Sequence, residues 1–164
     1  MRAIATTTIV LLLGAHTSCG PGDDSDPEPL SGDADASAEL AGVGEAHGSG
    51  VAELVLGDGT EVSLSVAGLD PDTAYISHLH DSGCGHDPPG GEHWLADPAE
   101  GMGEDNEIHL SLTTDGDGSA VETVSSPNTA DERVKSIVVH IADEGDHDHG
   151  GSGDRVLCGD IEFS

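Results

Sequence analysis

From Val51 to Leu69 the chain reads VAELVLGDGTEVSLSVAGL, two runs of alternating apolar and polar residues on either side of GDGT. A period of two sends successive side chains to opposite faces of an extended strand. A Gly/Asp turn between two such runs is a hairpin signal. The same pattern continues downstream. LDPDT turns the chain, with Pro and Asp in turn positions. AYISHLHD reads as a strand, EIHLSLTTDGDGSAVETV as a second hairpin turning at DGDG, and SIVVHIAD and DRVLCGDIEF as the last two strands. No segment sustains a helical period. The fold class expected is all-β: an antiparallel Greek-key β-barrel or sandwich of seven to eight short strands. With one Trp, one Tyr and one Phe, the core must be built of Val, Leu, Ile and Ala. Three connections, 81–107, 125–135 and 142–154, are longer than turns. Long loops on a β scaffold are where function usually sits.

The first 41 residues follow different rules. Arg2 supplies a positive start, and Ile4 to Leu13 is an apolar run too short to span a bilayer as a helix. Small residues then lead to AHTSC. This resembles a bacterial lipoprotein signal, residues 1–18, with Cys19 as the lipidated first residue of the mature chain. An ordinary secretory signal cleaved nearby is the alternative, and both export the protein. Residues 19–41 are rich in Asp, Glu, Ser, Gly, Pro and Ala, and cannot bury enough surface to offset their ordering entropy. They are expected to form an acidic tether. Residues 42–164 remain as one domain, of a size that supports a single core. The expected location is the cell envelope, with the membrane reached through the lipid alone.

Formal charge is −29, and loss of Arg2 with the signal makes the mature chain one unit more negative. Such a surface favours solubility and tolerates salt. It excludes a nucleic-acid partner, because phosphate binding needs clustered Lys and Arg. Only Arg133, Lys135 and Arg155 remain as side-chain cations. Three cysteines are an odd number. If Cys19 takes lipid, Cys84 and Cys158 are left as a pair, and outside the cytoplasm a disulfide between them is the natural reading. Closing a loop of ~75 residues would stabilise the fold by roughly 4 kcal/mol.

Histidines carry the chemistry. In SHLHD, His78 and His80 are two apart, so a strand would hold them on one face at neighbouring heights. An isolated H-x-H is more often a pair of solvated side chains; here its company changes the odds. His93 follows in GGEHW. His140 lies in IVVHIAD, where an unpartnered polar ring would cost stability. Arg155 stands three residues before Cys158 in RVLCG.

The order HLH, GC, GEHW, VVH and RVLCG, with TTDGDGSA as a turn, resembles the copper/zinc superoxide dismutases over roughly residues 50–164. Carried over motif by motif, the resemblance makes His78, His80, His93 and His140 the copper ligands. It makes His93 the histidine that also faces zinc, Cys84 and Cys158 the disulfide, and Arg155 the guide for the substrate anion. It implies dismutation of superoxide to oxygen and hydrogen peroxide, with His93 and Arg155 as the catalytic residues. Four imidazoles suit copper in both of its oxidation states, and one fixed guanidinium suits an anionic substrate.

The zinc half of the motif is missing. The loop after His93, LADPAEGMGEDNE, holds no histidine. This and the shortened 142–154 loop resemble the family's copper-only branch, in which a carboxylate orients His93 in place of zinc. Asp105 and Glu107 are the candidates. Copper is therefore the expected cofactor and zinc is expected to be absent. His86, His109, His147 and His149 have no assigned role, and the oligomeric state stays open. A non-catalytic copper-buffering lipoprotein on the same fold is the main rival, and Arg155 is the residue it would not need. A purely structural domain similar to chordin-type domains is a second rival, which Cys84 and RVLCG oppose.

Overall fold

The computed structural model describes residues 26–30, 33–142 and 154–164. The predicted signal, Cys19, and the loop carrying His147 and His149 lie outside the described residues. The described part is built of strands: β1 (Ala36–Gly42), β2 (Ser49–Gly57), β3 (Gly59–Ala67), β4 (Ala74–His80), β5 (His109–Thr113), β6 (Ala120–Ser126), β7 (Ser136–Ile141), β8 (Arg155–Asp160) and a two-residue β9 (Glu162–Phe163). All pairings are antiparallel, in the order β5-β4-β7-β8-β1-β2-β3-β6, with β9 on β1. Sequence neighbours are repeatedly separated in the sheet, which is the Greek-key crossover. The two ends of the path, β5 and β6, lie against each other and nearly close the barrel.

Two boundaries differ from the sequence reading. The sheet begins at Ala36, inside the segment 19–41 read as tether. Strand β1, ASAELAG, alternates buried and exposed side chains, and Ala36, Ala38 and Leu40 enter the core. Its apolar residues are mostly alanines, too small to stand out among acids and serines. The second difference is the expected hairpin around DGDG. The turn forms, with Gly118 N–H donating to Asp115 O and Asp115 N–H to Ser119 O. Its two arms, however, pair with different neighbours, β5 with β4 and β6 with β3. Gly118, at φ +78, lets the turn press on Leu69, whose N–H donates to the Gly118 carbonyl; a Cβ there would stand 2.2 Å from Leu69 O. The turn is thus anchored to the β3–β4 connection and bridges the barrel seam.

The core is Leu54, Val62, Leu64, Leu79, Ile108, Leu110, Ile137, Val139 and Leu157, with Trp94 as its one fully buried large aromatic. Strand β7 is buried on both faces: Ile137 and Val139 join this core, while Val138 and His140 face the other side. That second face belongs to the histidines.

Candidate metal centre

His78 and His80 project from the same face of β4, as the spacing requires, and are 1% and 0% exposed. His140 comes from β7, whose ladder sets it opposite Ile76, the next residue on that face of β4. His93 comes from the loop after β4. An antiparallel bridge pairs it with His80, and the next residue, Trp94, donates its N–H to Leu79 O at 2.8 Å. Burial of Trp94 and the Arg133 guanidinium over its ring fix this segment, and Arg133 also donates to the carbonyls of Leu95 and Ala96.

The four rings converge. One ligand nitrogen from each of His78, His80, His93 and His140 lies within 4.8 Å of all the others. His78 stacks on His93 with centroids 4.2 Å apart, and the Nε2 atoms of His80 and His140 face each other at 3.4 Å. Neither ring nitrogen of His78 has a hydrogen-bond partner among the described residues. A buried imidazole with two unpartnered nitrogens costs stability unless something else takes a lone pair. Burial, reinforced by neighbouring imidazoles, pushes the His78 pKa down to about 2 and that of His80 down to about 3. Both therefore stay neutral with a lone pair available, the form in which histidine binds a metal. The donor set fits a metal such as copper.

Glu107 organises the His93 side. Its Oε1 accepts from His93 Nδ1 at 2.6 Å and its Oε2 from His109 Nε2 at 2.9 Å. Burial alone would raise the Glu107 pKa, but the hydrogen bonds from His109 and His93 outweigh it and hold the carboxyl well below the usual carboxylate range. An ionised carboxylate only accepts, so His93 presents Nδ1–H to Glu107, which leaves Nε2 as the nitrogen that could bind a metal. The short loop delivers Glu107 by folding around the buried Asn106. The Asn106 amide accepts from Asp97 N–H and donates to the carbonyls of Asp97 and Gly101, while Glu107 N–H donates to Gly103 O. Asp105, the other carboxylate considered, is exposed and offers only its backbone carbonyl, to Asn128. It is not at the site.

Cys84 and Cys158 form a disulfide, tying the loop after β4 to β8. Cys84 N–H also donates to Asp160 Oδ1 at 2.7 Å. This clamp places the Gly91 carbonyl over β8, where Arg155 Nη2 donates to it at 2.9 Å. A bulge on β8, with Val156 as the extra residue, shifts the ladder so that Arg155 falls opposite His140. Its charge is felt at His80, whose pKa it helps to lower. A cleft of about 530 Å³ opens beside Arg155, bordered also by Asp70, Pro88, Pro89, Ile141 and Asp154.

Of the unassigned histidines, His86 is exposed; its ring meets Pro88 O at 3.2 Å and its backbone N–H donates to Gly83 O at 3.0 Å. His109 belongs to the site's surroundings. It pairs with His78 across β4 and β5, and the two rings meet edge to face at 4.5 Å. Its own sequence context carried no signal, because the contact depends on which strand β5 joins.

No protein-family model and no curated protein matches the chain. Solved structures do. A SOD-like protein from Bacillus subtilis aligns at 20% identity over 76% of this chain and 96% of its own, with a TM-score of 0.57. A Cu/Zn superoxide dismutase from Brucella abortus aligns at 23% identity over 77% of this chain and 98% of its own, with a TM-score of 0.54. The shared feature is the fold.

Proposed function

We propose that this protein is an exported superoxide dismutase of the copper/zinc family, working with copper alone. The observation that carries the reading is the buried set of His78, His80, His93 and His140, with the second nitrogen of His93 taken by Glu107. The family's zinc would need that nitrogen. Copper, when bound, supplies the one-electron oxidation of one superoxide to oxygen and the one-electron reduction of the next, which with two protons becomes hydrogen peroxide. The chain's own residues do the rest. Four imidazoles would hold the ion. Glu107 fixes the tautomer and ring angle of His93. The Arg155 guanidinium, held by the Gly91 carbonyl, offers a positive charge and N–H donors to an incoming anion.

A signal over residues 1–18, a lipid on Cys19 and an acidic tether ahead of β1 complete the proposal. The disulfide supports export, since such bonds persist outside the reducing cytoplasm. The test is metal analysis beside a superoxide assay, on protein matured with copper and zinc together. About one copper per chain, little zinc and rapid turnover are expected. Stoichiometric, tightly held zinc would overturn the copper-only reading. Tight copper without turnover would favour copper buffering.

A further inference from the structure

We propose that His109 is a positioning residue of the metal centre, supporting His78 directly and its stacked partner His93 through Glu107. The proposal rests on the reading of the four histidines as copper ligands and adds a fifth histidine that binds no metal. Two contacts carry it. His109 Nε2 donates to Glu107 Oε2 at 2.9 Å, while the other oxygen of that carboxylate accepts from His93 Nδ1 at 2.6 Å. The same ring meets His78 edge-on at 4.5 Å, with an interplanar angle of 90°. His78 and His93 themselves stack at 4.2 Å. One side chain on β5 therefore touches one ligand directly and another through a single carboxylate.

The Glu107 side chain is only 1% exposed, so its two oxygens depend on the protein for partners. Without His109, Oε2 would be left without that donor in a buried place, and the carboxylate would turn toward solvent or admit it. An opening is close by: a pocket of about 200 Å³ is bordered by Glu104, Glu107, Ile108, His109 and β6 residues. Trimming His109 would widen that pocket along the Glu107 carboxylate. The ring of His93 would lose its fixed angle, and that of His78 its lateral support. Because Glu107 accepts from both rings, the requirement at position 109 is a donor at the reach of Nε2, not an imidazole as such. Glutamine places an amide N–H at that reach. Asparagine places one a bond short of it, and leucine has none.

The experiment compares the full chain with His109→Gln, His109→Asn and His109→Leu. Each is loaded with copper(II) and read by electron paramagnetic resonance and by competition against a chelator; circular dichroism checks the fold. His109→Leu and His109→Asn are expected to bind copper(II) about 10–100-fold more weakly and to show an altered copper spectrum, while His109→Gln returns toward wild type. A folded Leu or Asn variant with wild-type spectrum and affinity would overturn the proposal. So would a folded His109→Gln variant as impaired as the other two, since the donor would then not be what matters. If the wild-type chain takes up no copper at its histidines, the metal-centre reading fails, and this inference fails with it.

Discussion

At the scale of residues, the four clustered histidines are legible because a strand's period of two and the company of VVH and RVLCG are local features. Glu107 was legible only as one of two carboxylates. What separates it from Asp105 is the Asn106 turn, which buries one neighbour and exposes the other. His109 could not be read at all, because its neighbour His78 lies 31 positions away in sequence and across a ladder. The buried imidazoles give a prediction for metal-free protein. His78 and His80 have folded-state pKa values of about 2 and about 3, below the ordinary 6.5. Below pH ~6.5 the unfolded chain therefore binds protons that the folded chain refuses. Stability from this source is complete above that pH and falls as the pH drops, by up to about 1.4 kcal/mol per pH unit for each ring. Weaker self-repulsion of the acidic surface acts the other way, so the comparison must be internal. The melting temperature of metal-free His78→Leu should fall less between pH 7 and pH 5 than that of the metal-free wild type. Parallel profiles would show that His78 is not held neutral. Arg155 gives a second prediction. Arg155→Glu should lower turnover about tenfold or more while leaving copper bound. Full activity in that variant would remove Arg155 from the mechanism.

At the scale of elements, most strands are visible from alternation, and the two exceptions have separate causes. β1 carries a weak apolar signal, because its inward residues are Ala36, Ala38 and Leu40, yet its structural role is strong. It joins β2 to β8 and so connects the two halves of the sheet. A chain that begins at Gly42 should therefore be unfolded or strongly destabilised, whereas one that begins just before Ala36 should melt like the wild type. Equal stability of the two would show that β1 is dispensable. The hairpin expected at DGDG failed because a turn signal specifies a reversal, not which strands pair afterwards. Between β4 and β5, the loop that carries His93 is held by the disulfide, by Trp94 and by Arg133. Cys84→Ser should cost roughly 2–4 kcal/mol, within the range typical of a disulfide that closes a long loop. It should also free the Gly91 carbonyl that orients Arg155, so turnover should fall more than copper content. Loss of stability with unchanged turnover per copper would mean that the clamp serves only the fold.

At the scale of the whole molecule, a formal charge of −29 would meet the anionic substrate of the proposed reaction. Its long-range field repels superoxide, and one guanidinium cannot reverse that beyond its own surroundings. At ordinary ionic strength the Debye length is ~8–10 Å, so Arg155 acts on an anion already at the mouth of the site. Even there it has acidic company, since Asp70 and Asp154 border the same cleft. The balance depends on salt. At very low ionic strength the many distant carboxylates all contribute, and the approach is slowed. Added salt screens the distant charges first, while the short-range pull of Arg155 survives longest. The rate of superoxide removal is therefore expected to rise as sodium chloride increases from a few millimolar, then to level off near ~0.1 M. An anion guided by a net positive field would show the reverse, a rate that falls steadily with salt. Observation of that fall would mean that the acidic residues lie away from the approach path and that Arg155 dominates the field the substrate meets. The same titration on Arg155→Glu separates the two contributions. Its rate should be lower throughout and should climb further with salt, because in that variant repulsion is all that screening can remove.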